Sequence, residues 1–126
     1  MIYIVLILMI VAISILSQGN FLGFSNVMNV FRQVTITGTL AIGMTLVLIT
    51  GGIDLSVGAV MALAGVVGSD MAHTDSGVPL IVPILIGLAI GLVFGIATGS
   101  LIAYLDAPAF IVTLGMTSIA RGIAYI

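Results

Sequence analysis

The chain has 126 residues, of which 62% are hydrophobic and 5% charged, with two basic and four acidic side chains and a formal charge of −2. Soluble domains carry about a quarter charged residues, so a mean hydropathy of +1.50 excludes an ordinary water-soluble domain. The two arginines, Arg32 and Arg121, form no basic patch, which excludes nucleic acid as a partner. Cysteine is absent and His73 is the lone histidine, so disulfides, thiolate metal sites and a zinc site are excluded and no cofactor is implied.

The first element is an apolar run, Met1–Leu16, closed by Ser17, Gln18, Gly19 and Asn20. No basic residue precedes it and no small-residue cleavage site follows, so it reads as a transmembrane helix rather than a signal peptide. In Phe21–Gln33 the apolar Phe24, Val27, Met28 and Phe31 recur at helical spacing against Ser25, Asn26, Asn29, Arg32 and Gln33. That pattern suits a short helix lying at the membrane surface or the first polar turns of the next crossing.

A second apolar segment runs from about Thr35 to Thr50, and a third from about Val57 to Ser69. As one helix, residues 35–69 would reach roughly 50 Å against a hydrocarbon core of about 30 Å. The chain must therefore break or turn near Gly51-Gly52, a pair that costs about 2 kcal/mol relative to alanines within a helix and permits a sharp turn. Asp70–Val78 is the most polar stretch and reads as an aqueous loop, with His73 a solvated loop residue. Pro79 opens a fourth segment to about Leu105, Asp106–Ala109 is a turn, and a fifth segment runs from Phe110 to Ile126. That last segment ends on apolar residues with no cap or basic stop, which reads as truncation. The fold class predicted is all-α: a polytopic, partial transmembrane bundle with a helix break at Gly51-Gly52, forming a single membrane-spanning region over residues 1–126.

Three features bear on mechanism. Gly87, Gly91, Gly95 and Gly99 recur every four residues and form a smooth ridge. Such ridges let helices approach closely where lipid supplies no hydrophobic drive, either within one chain or between subunits. Asp54 lies between two apolar segments, where an ionisable group costs about 2.5–3.5 kcal/mol on insertion scales. It caps the third segment, faces a water-filled path together with the Thr50 and Ser56 hydroxyls, or does both, because broken helices are tolerated where they line cavities. Arg121, about ten residues into the fifth segment, must snorkel or find an acceptor such as Asp54, Asp106 or a carbonyl. No catalytic group stands out, and without lysine there is no Walker A loop, so ATP hydrolysis falls to another protein.

The run Gly43-Met44-Thr45-Leu46-Val47-Leu48-Ile49-Thr50-Gly51-Gly52-Ile53-Asp54-Leu55-Ser56-Val57-Gly58 resembles the signature of the permease subunits of bacterial ribose-, xylose- and autoinducer-2-type ABC importers. Pro108–Met116, Ala120-Arg121-Gly122 and the earlier Asn26–Gln33 are similar to further stretches of that family, collinear over about residues 17–126. The resemblance implies a multi-pass protein of the bacterial inner membrane that dimerises with a second permease subunit. It would receive a small sugar from an extracytoplasmic sugar-binding protein and be driven by a cytoplasmic ABC ATPase subunit. A secondary transporter or channel-like repeat and an inactive truncated permease are the rival readings.

Overall fold

The computed structural model describes residues 1–73 and 77–126, without the His73 side chain. Among the described residues five α-helices follow one another: α1 (Ile2–Leu16), α2 (Phe24–Ile49), α3 (Val57–His73), α4 (Ile81–Leu105) and α5 (Ala109–Ala124), with a short 3-10 turn at Asn20–Leu22. No strand occurs among the described residues. Of the described helices two, α2 and α4, are long and apolar enough to cross a membrane, while α1, α3 and α5 are apolar but shorter. At 1.5 Å per residue they reach about 39 Å and about 37 Å.

Contacts divide the chain into two compact units, Met1–Gly43 and Met44–Ile126. In the first, α1 is apolar on every side and exposes nearly all of its residues, the pattern of a helix solvated by lipid rather than water. It ends without a glycine at the left-handed position: Gln18 takes φ +52°. The Gln18 N–H bonds to Ile15 O and the Gly19 N–H to Ser14 O, the paired bonds that satisfy the last carbonyls of a helix. The polar residues of Phe21–Gln33 then belong to α2. Asn26 Nδ2 donates to Phe21 O at 2.7 Å, and the helix runs unbroken through Arg32 and Gln33. Of the two sequence readings of that stretch, the structure takes the first turns of the next helix.

In the second unit α3 packs against both α4 and α5, and α4 meets α5 over a smaller area. The core is built from small side chains. Ala59, Leu63 and Ala120 are buried, with Val60, Val67, Ile90, Phe94 and Ala124 packed around them. Small residues let the backbones approach, so dispersion contacts replace the missing hydrophobic drive. A Cβ built on Gly87 would lie 3.8 Å from Ala64 Cβ, and one on Gly68 would lie 3.8 Å from Pro83 O; these glycines mark where α3 and α4 come together.

One expectation is corrected. The polar stretch beginning at Asp70 is not wholly a loop, because α3 continues through Asp70 and Met71 to His73. Helical hydrogen bonding continues for as long as backbone partners are available, whatever the polarity of the side chains. Residues 74–76 of that expected loop, including Asp75, and the side-chain reading of His73 lie outside the described residues, while Gly77 and Val78 are non-helical as expected. At the other turn, Asp106 closes α4 in the left-handed conformation, φ +54°, which a short polar side chain tolerates better than most. Pro108 then precedes the first turn of α5.

Candidate functional site

The predicted break is a defined cap. α2 stops at Ile49, and Gly51 adopts φ +78°. Its N–H bonds to Leu48 O at 3.0 Å, and the Gly52 N–H bonds to Val47 O at 3.1 Å. This is the same terminal arrangement as at α1, here with glycine at the position that needs φ > 0. The two glycines differ in role. A Cβ on Gly51 would meet nothing but would have to adopt the left-handed backbone, whereas one on Gly52 would lie 3.4 Å from Val47 Cγ1 and 3.6 Å from Val47 O. Thr50 donates its hydroxyl proton to Val47 O at 2.7 Å.

Residues 52–56 then run as a non-helical connection to α3. Asp54 Oδ1 accepts two bonds from Ser56, from its N–H at 2.7 Å and its hydroxyl at 2.6 Å. The first of these is a side-chain turn that competes with helix and so fixes where α3 begins. It also places a carboxylate beside the orphan N–H groups of the helix start, where negative charge is stabilising. Ser56 is 3% exposed; its hydroxyl is spent on Asp54.

Two threonines on α5 hold this connection from the far side. Thr113 Oγ1 lies 3.4 Å from Ile53 O and 3.3 Å from Phe110 O. Thr117 Oγ1 lies 3.0 Å from Leu55 O and 2.8 Å from Thr113 O. Each hydroxyl has one proton, so each divides it between its own helix and the connection. These contacts cross some sixty residues of sequence and anchor backbone carbonyls that helix and sheet ladders leave unpaired.

Against this break opens a cavity of about 540 Å³, with Thr50, Asp54, Gly95, Thr98, Gly99 and Thr113 among its lining residues. The structure thus brings Thr50, Gly51, Gly52 and Asp54 to one wall. It also sets two members of the glycine ridge, Gly95 and Gly99, on the α4 wall. A Cβ on Gly91, Gly95 or Gly99 would meet nothing within 4 Å among the described residues, so beyond Gly87 no described side chain closes the ridge. Thr98 is 6% exposed, and its hydroxyl has no hydrogen-bond partner among the described residues. Leaving such a group unmade costs about 1–3 kcal/mol.

Arg121 stands apart from this site. It lies exposed on α5 in the wall of a second cavity, of about 410 Å³, with Gly58, Ala62 and Tyr125.

Thr98, Thr113 and Thr117 were not singled out by sequence. Thr113 and Thr117 are one helical turn apart, which puts both hydroxyls on one face of α5. Thr98 sits between Gly95 and Gly99 on the ridge. Only the spacing carried that signal, because threonine in an apolar helix ordinarily bonds to its own backbone.

Apolar helices interrupted by a hydrogen-bonded, carboxylate-bearing break define an α-helical membrane protein. Residues 26–126 match the protein family described as branched-chain amino acid transport system / permease component, and the chain belongs to that family. It is 43% identical over 121 residues to the ribose import permease protein RbsC of Bacillus subtilis, covering 96% of this chain and 37% of the relative. It is 44% identical over 110 residues to the xylose transport system permease protein XylH of Haemophilus influenzae, covering 87% and 29%. It is 38% identical over 116 residues to the fructose import permease protein FrcC of Rhizobium meliloti, covering 92% and 32%. The chain therefore spans well under half the length of these relatives. No solved structure matches it.

Proposed function

We propose that this chain is part of the membrane-spanning permease subunit of an ABC importer that moves a small sugar, a ribose-like monosaccharide, inward across the bacterial inner membrane. The observation that carries the reading is the similarity, at 38–44% identity and over most of the chain, to permeases named for ribose, xylose and fructose. A cavity of about 540 Å³ at the helix break is consistent with it, being within the range of small-molecule sites. In this reading the protein crosses the membrane several times. It pairs with a second permease subunit and takes sugar from an extracytoplasmic binding protein, and a separate cytoplasmic ATPase subunit hydrolyses ATP. Thr50 and Asp54 face the solute, and Ser56 acts through Asp54 by holding its carboxylate. The glycine ridge packs against further helices, within the subunit or across the dimer, and Arg121 is a structural charge.

The test is uptake of radiolabelled D-ribose, D-xylose and D-fructose by cells carrying the complete gene, against cells lacking it. Uptake that requires a P-loop ATPase and survives collapse of the proton gradient supports the reading. Uptake that follows a proton or sodium gradient assigns the protein to the secondary transporters, and no uptake of any of the three removes the sugar assignment.

A further inference from the structure

We infer that Thr98 on α4 is a solute-binding residue, donating its hydroxyl proton to a neutral polyhydroxylated solute held in the cavity that Asp54 also lines; the inference rests on the importer reading above. Helix hydroxyls usually return their proton to the carbonyl one turn back. Thr35, Thr39, Ser100, Thr117 and Ser118 all do so here. Thr98 does not, although it is 94% buried, with 6% of its surface exposed. The other hydroxyls in the cavity wall are committed: Thr50 donates to Val47 O, and Thr113 to Ile53 O or Phe110 O. Thr98 therefore holds the one uncommitted hydroxyl proton among the described hydroxyls of that wall.

Asp54 lines the same cavity; its Oδ1 already takes both bonds from Ser56, and Oδ2 makes none among the described residues. One free donor and one free carboxylate acceptor, in a wall whose other hydroxyls are already bonded, complement a neutral solute whose hydroxyls both give and receive protons. The carboxylate disfavours an anion. An apolar helix filling the same space would leave both groups unpaired, which is costly in low dielectric. Gly95 and Gly99 flank Thr98 and present no side chain, and a Cβ on either would meet nothing within 4 Å. No side chain therefore fills the space on either side of Thr98 along α4.

The test uses the complete transporter, with its ATPase, in membrane vesicles. The segment contains no cysteine, so Thr98→Cys in an otherwise cysteine-free protein gives one label site. It is expected to react with a charged, water-borne methanethiosulfonate and to react more slowly when D-ribose, D-xylose or D-fructose is added, whichever the unmodified transporter imports. Sodium chloride at equal osmolarity is expected to leave the rate unchanged. Thr98→Val is expected to lower uptake about five-fold at normal membrane abundance, the loss of one hydrogen bond, and Thr98→Ser to restore most of it. A cysteine that stays unlabelled, labelling indifferent to the imported sugar, or Thr98→Val uptake equal to that of the unmodified protein each overturns the assignment of Thr98 alone. If the unmodified transporter imports none of the three sugars, the importer reading fails, and the assignment of Thr98 falls with it.

Discussion

Thr117 on α5 sets its hydroxyl 3.0 Å from the carbonyl oxygen of Leu55, a residue 62 positions earlier in the connection between α2 and α3. One helical turn away Thr113 does the same toward Ile53. The break that begins at the glycine pair is thus held by side chains from the last helix. Non-helical backbone is tolerated at membrane depth only when its polar groups find partners in protein or cavity water.

Removing that clip is expected to loosen the connection without dismantling the helices. Thr117→Val should lower stability by about 0.5–1.5 kcal/mol, and Thr113→Val by a similar amount. The double variant should show faster amide hydrogen exchange at residues 53–56 while α4 keeps its protection. Exchange at those amides equal to that of the parent would show that the threonines serve only their own helix.

The two glycines of the break should respond differently. Gly51→Ala forces a Cβ into φ +78° and should destabilise the cap by about 1–2 kcal/mol, with Gly51→Asn milder. Gly52→Ala meets Val47 Cγ1 at 3.4 Å, an ordinary contact, and should be tolerated. Thermal unfolding in detergent of the full-length protein reads both, and a larger loss at Gly52 than at Gly51 would contradict the cap geometry.

Asp54 has two separable jobs in this arrangement. Asp54→Asn keeps an oxygen for the Ser56 N–H and hydroxyl, so stability should hold while sugar uptake falls. Asp54→Ala removes the bonds that set the start of α3 and should cost a further 0.5–2 kcal/mol, roughly the loss of a helix cap. Ser56→Ala should reduce uptake less than Asp54→Asn, because it acts through the carboxylate. Full uptake by both Asp54→Asn and Ser56→Ala would remove this wall from the solute path.

The ridge on α4 is expected to divide in two. Gly87→Val crowds Ala64, 3.8 Å from the added Cβ, and should disturb the packing of α3 on α4. Gly91→Val adds a Cβ that meets nothing within 4 Å among the described residues, so it is expected to leave the packing of α3 on α4 intact. Comparing thermal stability and oligomeric state of the two variants in detergent separates these contacts.

Some of this was legible in the residues themselves. α1 and α4 are apolar runs about as long as their helices, a composition suited to lipid and to neighbouring apolar helices. The break was forced by length, since residues 35–69 exceed one crossing, and Gly51-Gly52 is the one place in that span where two glycines stand together, the pair freest to adopt a left-handed turn. The polarity of Asp70 suggests a loop, yet α3 runs on to His73, because helix continuation depends on backbone partners. Phe21–Gln33 remained open between two readings because periodicity alone does not say whether an amphipathic turn stands free or opens a longer helix.

Composition and local pattern determined that the chain is helical, that it lives in lipid and that it is interrupted at Gly51-Gly52, because each follows from hydropathy, span length and backbone freedom within a few residues. Only the tertiary structure decided which groups share the cavity, that Thr113 and Thr117 hold the connection, that Ser56 serves Asp54, and that the Thr98 hydroxyl is left uncommitted. Hydrogen bonds between residues some sixty positions apart depend on how α5 and α4 are turned toward the break. The facing of α5 goes with the packing of Ala120 against Ala59 and Leu63 of α3, and that of α4 with Ile90 and Phe94 beside them, which no local periodicity records.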